Sequence, residues 1–198
     1  KADMTLHNDV VVVSTPGRVC LFGEHQDYLH LPVIPCAISL RTGITARYRE
    51  DMHVEIDLPD IGSHEAFSFA GPLAYVVERD YFRSAVNVLR RSGFSFSRGL
   101  ECTVHGNIPL NAGTSSSSAL IVSWVGLLAL VSDQRVRLSG EACARYGHEA
   151  EVLEFGEPGG MMDHYATACG GVMSIDFQPE VHVERLKCPL KNFVLGNS

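Results

Sequence analysis

An α+β fold is expected for this chain, because strand-period segments gather ahead of helix-period ones instead of alternating with them in strict βαβ order. Val10 to Val13 is an unbroken β-branched run, and Ile44, Ala46 and Tyr48 alternate with Thr45 and Arg47 as on a half-buried strand. Val54 and Ile56 continue that style, and Leu100, Cys102 and Val104 return to period two. Between them Tyr81, Ala85, Val88 and Leu89 fall on one helical face, which Ser92-Gly93 stops. Ala119 to Val131 is apolar throughout, as a buried helix would be. Ser139 opens a further helix with Cys143, Tyr146, Ala150 and Leu153 on one face, broken by the Gly-Glu-Pro-Gly-Gly segment from Gly156 to Gly160. A short helix over Met161 to Ala168 follows, and Val172 to Phe177 and Phe193 to Leu195 read as closing strands. No internal repeat or low-complexity linker divides the chain.

Composition narrows the function classes. With 198 residues, 45% of them hydrophobic, the chain can bury the core of one large domain or of two small ones. A net charge of −7 argues against a nucleic-acid groove, which needs a basic face. The six cysteines are scattered, with no Cys-x-x-Cys pair, and suit reduced thiols of a cytoplasmic protein. No signal peptide is read at the start, and Ala119 to Val131 is too short to span a bilayer, so neither nucleic acid nor membrane is expected as a partner.

Three segments carry the chemistry. Residues 109–120 read Pro-Leu-Asn-Ala-Gly-Thr-Ser-Ser-Ser-Ser-Ala-Leu, a small-residue loop that runs into the apolar helix. Such a loop lets backbone approach a polyanion, and the helix start offers unpaired N–H groups and the positive end of the dipole. A plain Ser-capped helix after a turn has the same composition. In Pro16 to Tyr28 a β run turns through Gly23 into Glu24, His25, Gln26, Asp27 and Tyr28, a density of hydrogen-bonding groups that suits a polyol and also a solvated turn. Gly159-Gly160-Met161-Met162-Asp163-His164 is a glycine-rich entry to a helix with a carboxylate in its first turn. The helix dipole stabilises an acid there, and the same acid can serve as a base or charge partner.

Together these segments resemble the GHMP kinase superfamily, in its galactokinase branch. Pro16 to Tyr28 is similar to the signature P-G-R-x-N-x-[IL]-G-E-H-x-D-Y with Cys20 and Phe22 departing, and Pro109 to Ser118 is similar to P-x-G-x-G-L-S-S-S-A with Asn111, Thr114 and Ser118 departing. Met162-Asp163 matches the segment that carries the family's catalytic aspartate. The resemblance implies a mixed β-sheet with helices packed on it, like the N-terminal domain of these kinases, over residues 1–198. It implies ATP-dependent phosphorylation of a sugar hydroxyl, the anomeric hydroxyl of galactose or a related sugar, by direct phosphoryl transfer.

Roles follow from the same resemblance. Asp163 would be the base or electrostatic partner of the attacking hydroxyl, with Arg18 helping to neutralise the transferring phosphoryl group. Glu24, His25, Asp27 and Tyr28 would bind the sugar, Asp27 foremost. Asn111, Ala112, Gly113, Thr114, Ser115, Ser116, Ser117 and Ser118 would hold ATP, and Ser117, or else Ser116, with Glu151, twelve residues before Asp163, would hold Mg2+. Phe82 aligns roughly with an adenine-side aromatic, while its spacing also suits a core residue.

The departures widen the substrate reading. Leu29-His30-Leu31-Pro32 stands where galactokinases continue with Asn and Gly, which leaves other hexoses, deoxysugars and uronic acids open. The family's third glycine-rich motif is not among the 198 residues, so a C-terminal domain is expected to complete the cleft in a longer polypeptide. A catalytically silent sugar and ATP sensor is one alternative, and a kinase for a non-sugar substrate such as mevalonate is another. Gly113-Thr114-Ser115-Ser116-Ser117 lacks the second glycine of a hydrolase nucleophile elbow, and no Walker motif occurs.

Overall fold

The computed structural model describes residues 1–7, 9–109, 113–188, 192 and 194. Its frame is the antiparallel pair of two long strands, β2 (Val10–Phe22) and β3 (Ile34–Tyr48). Five further strands in chain order, β4 (His53–Leu58), β5 (Ser63–Ser68), β6 (Leu100–Gly106), β7 (Val172–Asp176) and β8 (His182–Leu186), join β1 (Asp3–His7) to complete the sheet. The strands run in the order β1-β2-β3-β6-β4-β5, with β7 paired to the other half of β3 and β8 paired to β7. Among the described residues only β4 and β6 run parallel. The sheet is mixed, with helices packed on it, as the resemblance implies, and the class is the α+β that the hydrophobic pattern predicts.

β2 shows why that pattern was readable. Val11 and Val13 are buried and Val12 points out, the alternation of a one-faced strand. The alternation then lapses: Thr15, Pro16, Gly17 and Arg18 are all buried, and the register with β3 shifts between Pro16 and Arg18. A bulge of this kind re-aims a side chain. Here it turns Arg18 into the protein.

Four helices pack against the sheet: α1 (Tyr81–Arg91), α2 (Ser116–Val131), α3 (Gly140–Glu151) and α4 (Met162–Cys169). α2 contacts β2 and β3 as well as α1, α3 and α4, which explains why it is apolar on every side. Trp124, fully buried on α2, stands edge-on to Phe82 of α1 and donates its indole N–H to the Phe82 carbonyl at 3.0 Å. The Thr15 hydroxyl donates to the Ala119 carbonyl at 2.5 Å and so ties β2 to the same helix. No helix among the described residues is long and apolar enough to cross a membrane.

Three strands were not legible in the sequence, and all three lie at sheet edges. β1 and β5 end the main order and β8 ends the β7 branch. An edge strand with polar residues on both faces, such as His182-Val183-Glu184-Arg185-Leu186, has little alternation to read and is held by its neighbour's hydrogen bonds. Leu153, expected on the buried face of α3, lies past its end in a 3-10 turn and is 60% exposed, because α3 stops at Glu151. The expected strand at Phe193 to Leu195 falls outside the described residues. Replacing Trp124 by Ala is expected to lower the unfolding free energy by about 3–5 kcal/mol, read by urea denaturation, since it removes the largest side chain of the core.

Candidate active site

Arg18 and Asp163 meet. Arg18 is 6% exposed, and its Nε–H donates to Asp163 Oδ1 at 2.7 Å. Its Nη1 donates to the Gly113 carbonyl at 2.6 Å, and Nη2 lies 3.5 Å from Glu24 Oε1. Burial opposes the charge of Arg18, and the Asp163 and Glu24 carboxylates more than restore it, so the guanidinium stays protonated. Asp163 occupies the first turn of α4, and its other oxygen accepts from the Ser115 hydroxyl at 2.7 Å. One carboxylate thus joins β2, the serine loop and α4.

The loop reaches this point by close packing. The Thr114 carbonyl accepts the Arg18 backbone N–H at 3.1 Å, and a Cβ on Gly17 would sit 2.9 Å from that carbonyl. Only glycine lets the two backbones approach so closely. Thr114 is buried with its hydroxyl donated to the Pro109 carbonyl, so its side chain belongs to the loop's frame. Ser115 adopts a left-handed conformation at φ 56 and makes no side-chain cap to α2, its hydroxyl being on Asp163. The first-turn N–H groups of α2 therefore lack the usual side-chain cap. Asn111 and Ala112 lie outside the described residues.

The sugar-segment residues line the same cleft, of about 320 Å³. Glu24, His25, Asp27 and Tyr28 face it together with Arg18, Asp163, Ser117, Ser118 and Glu151. Asp27 is buried, and its Oδ2 accepts the N–H of Met162, the first residue of α4, at 3.1 Å. One of its oxygens thus holds the helix that carries Asp163. A Cβ on Gly160 would lie 1.9 Å from that Oδ2, so the glycine-rich entry is what admits the carboxylate. Phe82 faces Trp124 in the core and not the cleft.

Glu151 closes α3, is 9% exposed and accepts from His164 Nε2 at 2.7 Å. Burial works against its ionisation. The bond and charge of His164, with the Ser117 and Ser118 hydroxyls, outweigh burial and hold the carboxyl below its ordinary range. A serine hydroxyl and an ionised carboxylate on one cleft are hard oxygen donors that fit magnesium, which takes few protein ligands. Among the described residues no cluster of three or more His, Cys, Asp or Glu is arranged to hold a metal by itself.

Several residues at this cleft carried no signal in the motifs. Arg79 and Glu157 form a bidentate pair at 2.9 and 2.7 Å across its rim, and Tyr81 also lines it. Tyr81 was legible only as a helix residue and Glu157 only as part of a helix break, and all three reach the site through tertiary contact. His164 adjoins Asp163 in sequence, yet only the packing of α4 on α3 reveals its partner. Ser116 faces away, into a second, mostly apolar recess of about 280 Å³ lined by Leu58, Ile61, Val104, Ile108 and Leu120.

A serine-rich helix start and a buried Arg18 paired with the half-buried Asp163 thus meet beside one polar cleft. Residues 80–171 match the model of the GHMP kinases N terminal domain, and residues 5–48 match that of the galactokinase galactose-binding signature. Over these two stretches the chain is similar to the N-terminal domain of the GHMP kinases and to the galactose-binding signature of galactokinases. Among solved structures it is similar to Lactococcus lactis galactokinase complexed with galactose, at 24% identity and a TM-score of 0.75, over 91% of this chain and 48% of that one. A putative sugar kinase from Campylobacter jejuni is 25% identical with a TM-score of 0.74, over 92% of this chain and 58% of that one. Methanococcus jannaschii mevalonate kinase shares the fold at 18% identity and a TM-score of 0.76, over 92% and 57%. The chain spans between 48% and 58% of the length of these structures.

Two outcomes are expected from this geometry. Gly160→Ala should push Asp27 off the Met162 N–H, lowering stability by about 1–3 kcal/mol in urea denaturation and raising hydrogen exchange at the Met162 amide. Because the folded Glu151 carboxyl lies below its ordinary 4.5, its contribution to stability is full above that pH and is lost as pH falls through the folded value. Unfolding free energies measured from pH 7 to pH 3.5 should therefore fall less steeply in Glu151→Gln than in the unaltered protein.

Proposed function

We propose that this chain supplies the substrate- and phosphate-binding half of an ATP-dependent sugar kinase, which phosphorylates a hydroxyl of galactose or a related sugar by direct transfer. The observation that carries this reading is the Arg18-Asp163 pair at 2.7 Å, set between the sugar-signature residues and the serine loop in one cleft. Phosphoryl transfer asks mainly for positioning and charge stabilisation, and this cleft offers both.

In the proposed reaction Glu24, His25, Asp27 and Tyr28 hold the sugar through its hydroxyls. Asp163 keeps lone pairs beyond those bonded to Arg18 and Ser115, and with them it orients the attacking hydroxyl and accepts its proton. Arg18 offsets the negative charge gathered between the carboxylate and the γ-phosphate. The N–H groups at the start of α2 point at the phosphates, aided by the helix dipole and free of a side-chain cap. Ser117 and Glu151 would hold Mg2+, which when bound neutralises phosphate oxygens. The apolar recess on the other side of the α2 start suits the flat face of a nucleobase. No lysine stands among the described residues of the loop, so helix dipole and metal carry the phosphate charge there.

The sugar class is supported by the galactose-binding signature over residues 5–48 and by the galactose that the Lactococcus lactis structure contains. Tyr28 lines the cleft, and the exposed Leu29 and Leu31 follow it in the chain, an apolar segment that suits a deoxysugar as well as galactose. The second half of the kinase, expected from a further domain, would complete the cleft. The test is ADP release by the full-length polypeptide with Mg-ATP over a panel of hexoses, deoxysugars and uronic acids. Sugar-dependent ADP release is expected, and tight sugar and ATP binding without it overturns the kinase reading. Asp163→Asn should cut turnover by about 10²–10⁴-fold while ATP-analogue affinity, measured by calorimetry, stays within a factor of two.

A further inference from the structure

We infer that His164 is a positioning residue of this cleft: through Nε2 it fixes the Glu151 carboxylate in the orientation that presents it, beside Ser117, to a divalent cation. This rests on the reading of Ser117 and Glu151 as a magnesium pair. Glu151 is the last residue of α3, where its negative charge meets the negative end of the helix dipole. It is also nearly buried, so it needs a donor to remain ionised and in one rotamer. Among the described residues His164 is the only basic side chain within ion-pair distance of it, at 2.7 Å.

The way His164 is held agrees with a single task. It is 2% exposed, lies against Gly147 of α3, and has no hydrogen-bond partner for Nδ1. A histidine serving only as core filler would be expected to satisfy both nitrogens or to be replaced by an apolar residue. Among the described residues the ring's hydrogen bond goes to Glu151. The neighbouring His148, edge-on at 5.4 Å, places its Nε2 3.2 Å from the Gly159 carbonyl and does not compete. Asp163 and His164 are successive on α4, so the helical turn of about 100° aims one at Arg18 and the other at Glu151. A single turn of α4 then sets both the carboxylate proposed for proton transfer and the one proposed for the metal. Partners that orient a metal-ligating carboxylate change metal affinity by about 10–100-fold when removed.

The test is Mn2+ binding, followed by electron paramagnetic resonance and calorimetry, in the full-length polypeptide with a non-hydrolysable ATP analogue. His164→Leu should weaken Mn2+ binding by about 10–100-fold with analogue affinity in the absence of metal unchanged, and His164→Gln, which keeps a donor, should recover most of the loss. In the unaltered protein the His164 ring ¹⁵N signals should shift when Mg2+ is added to the analogue complex, a readout that does not depend on a variant folding. A folded His164→Leu protein that binds Mn2+ as tightly as the unaltered one overturns the inference alone, as does a His164 signal indifferent to Mg2+. Failure of the unaltered protein to bind Mn2+ with the analogue overturns the magnesium reading and this inference with it.

Discussion

A buried guanidinium is the constraint around which this domain is arranged. Removing Arg18 from water is costly unless its charge and donors are met, and the molecule meets them from three separate parts of the chain. Asp163 comes from α4, the Gly113 carbonyl from the serine loop and Glu24 from the turn after β2. The bulge in β2 aims the side chain inward, and the Thr114 carbonyl on the Arg18 N–H fixes the loop beside it. Charge, loop and helix are therefore one unit, and none of the three could move without leaving a buried ion unpaired.

That unit also leaves the start of α2 in an unusual state. Its cap residue gives its hydroxyl to Asp163 instead of to the helix, so the same contact that orients the carboxylate withholds the side-chain cap from the helix start. The first turn stands between two recesses of different character: the polar cleft faced by Ser117 and Ser118, and the apolar one faced by Ser116 and Leu120. A ligand with a flat apolar end and a polyanionic end is matched by such a division. Asp27 plays a comparable double part, bonding the first N–H of α4 with one oxygen while it lines the cleft.

The residues that could be read in the chain were those whose role is local. Val11 and Val13 alternate because one face of β2 is buried, Ser139 caps α3 by accepting the Ala142 N–H, and the apolar run of α2 follows from its being surrounded. The motifs around Arg18, the serine loop and Asp163 were visible because close backbone approach demands small residues at fixed offsets, as Gly17 and Gly160 show. β1, β5 and β8 escaped because edge strands owe their form to a neighbour. Arg79, Glu157 and the partner of His164 escaped because nothing in their own segments encodes a contact with residues far along the chain.

The sequence by itself determined the α+β class, most element positions and which three segments carry the motifs, because hydrophobic period, caps and glycines are properties of neighbouring residues. Only the tertiary structure decided that those segments share one cleft, that Ser115 turns from capping a helix to holding a carboxylate, and that Asp27 both bonds the start of α4 and lines the cleft. Those outcomes depend on which distant groups a buried charge or an open N–H finds, and the folded packing alone sets that choice.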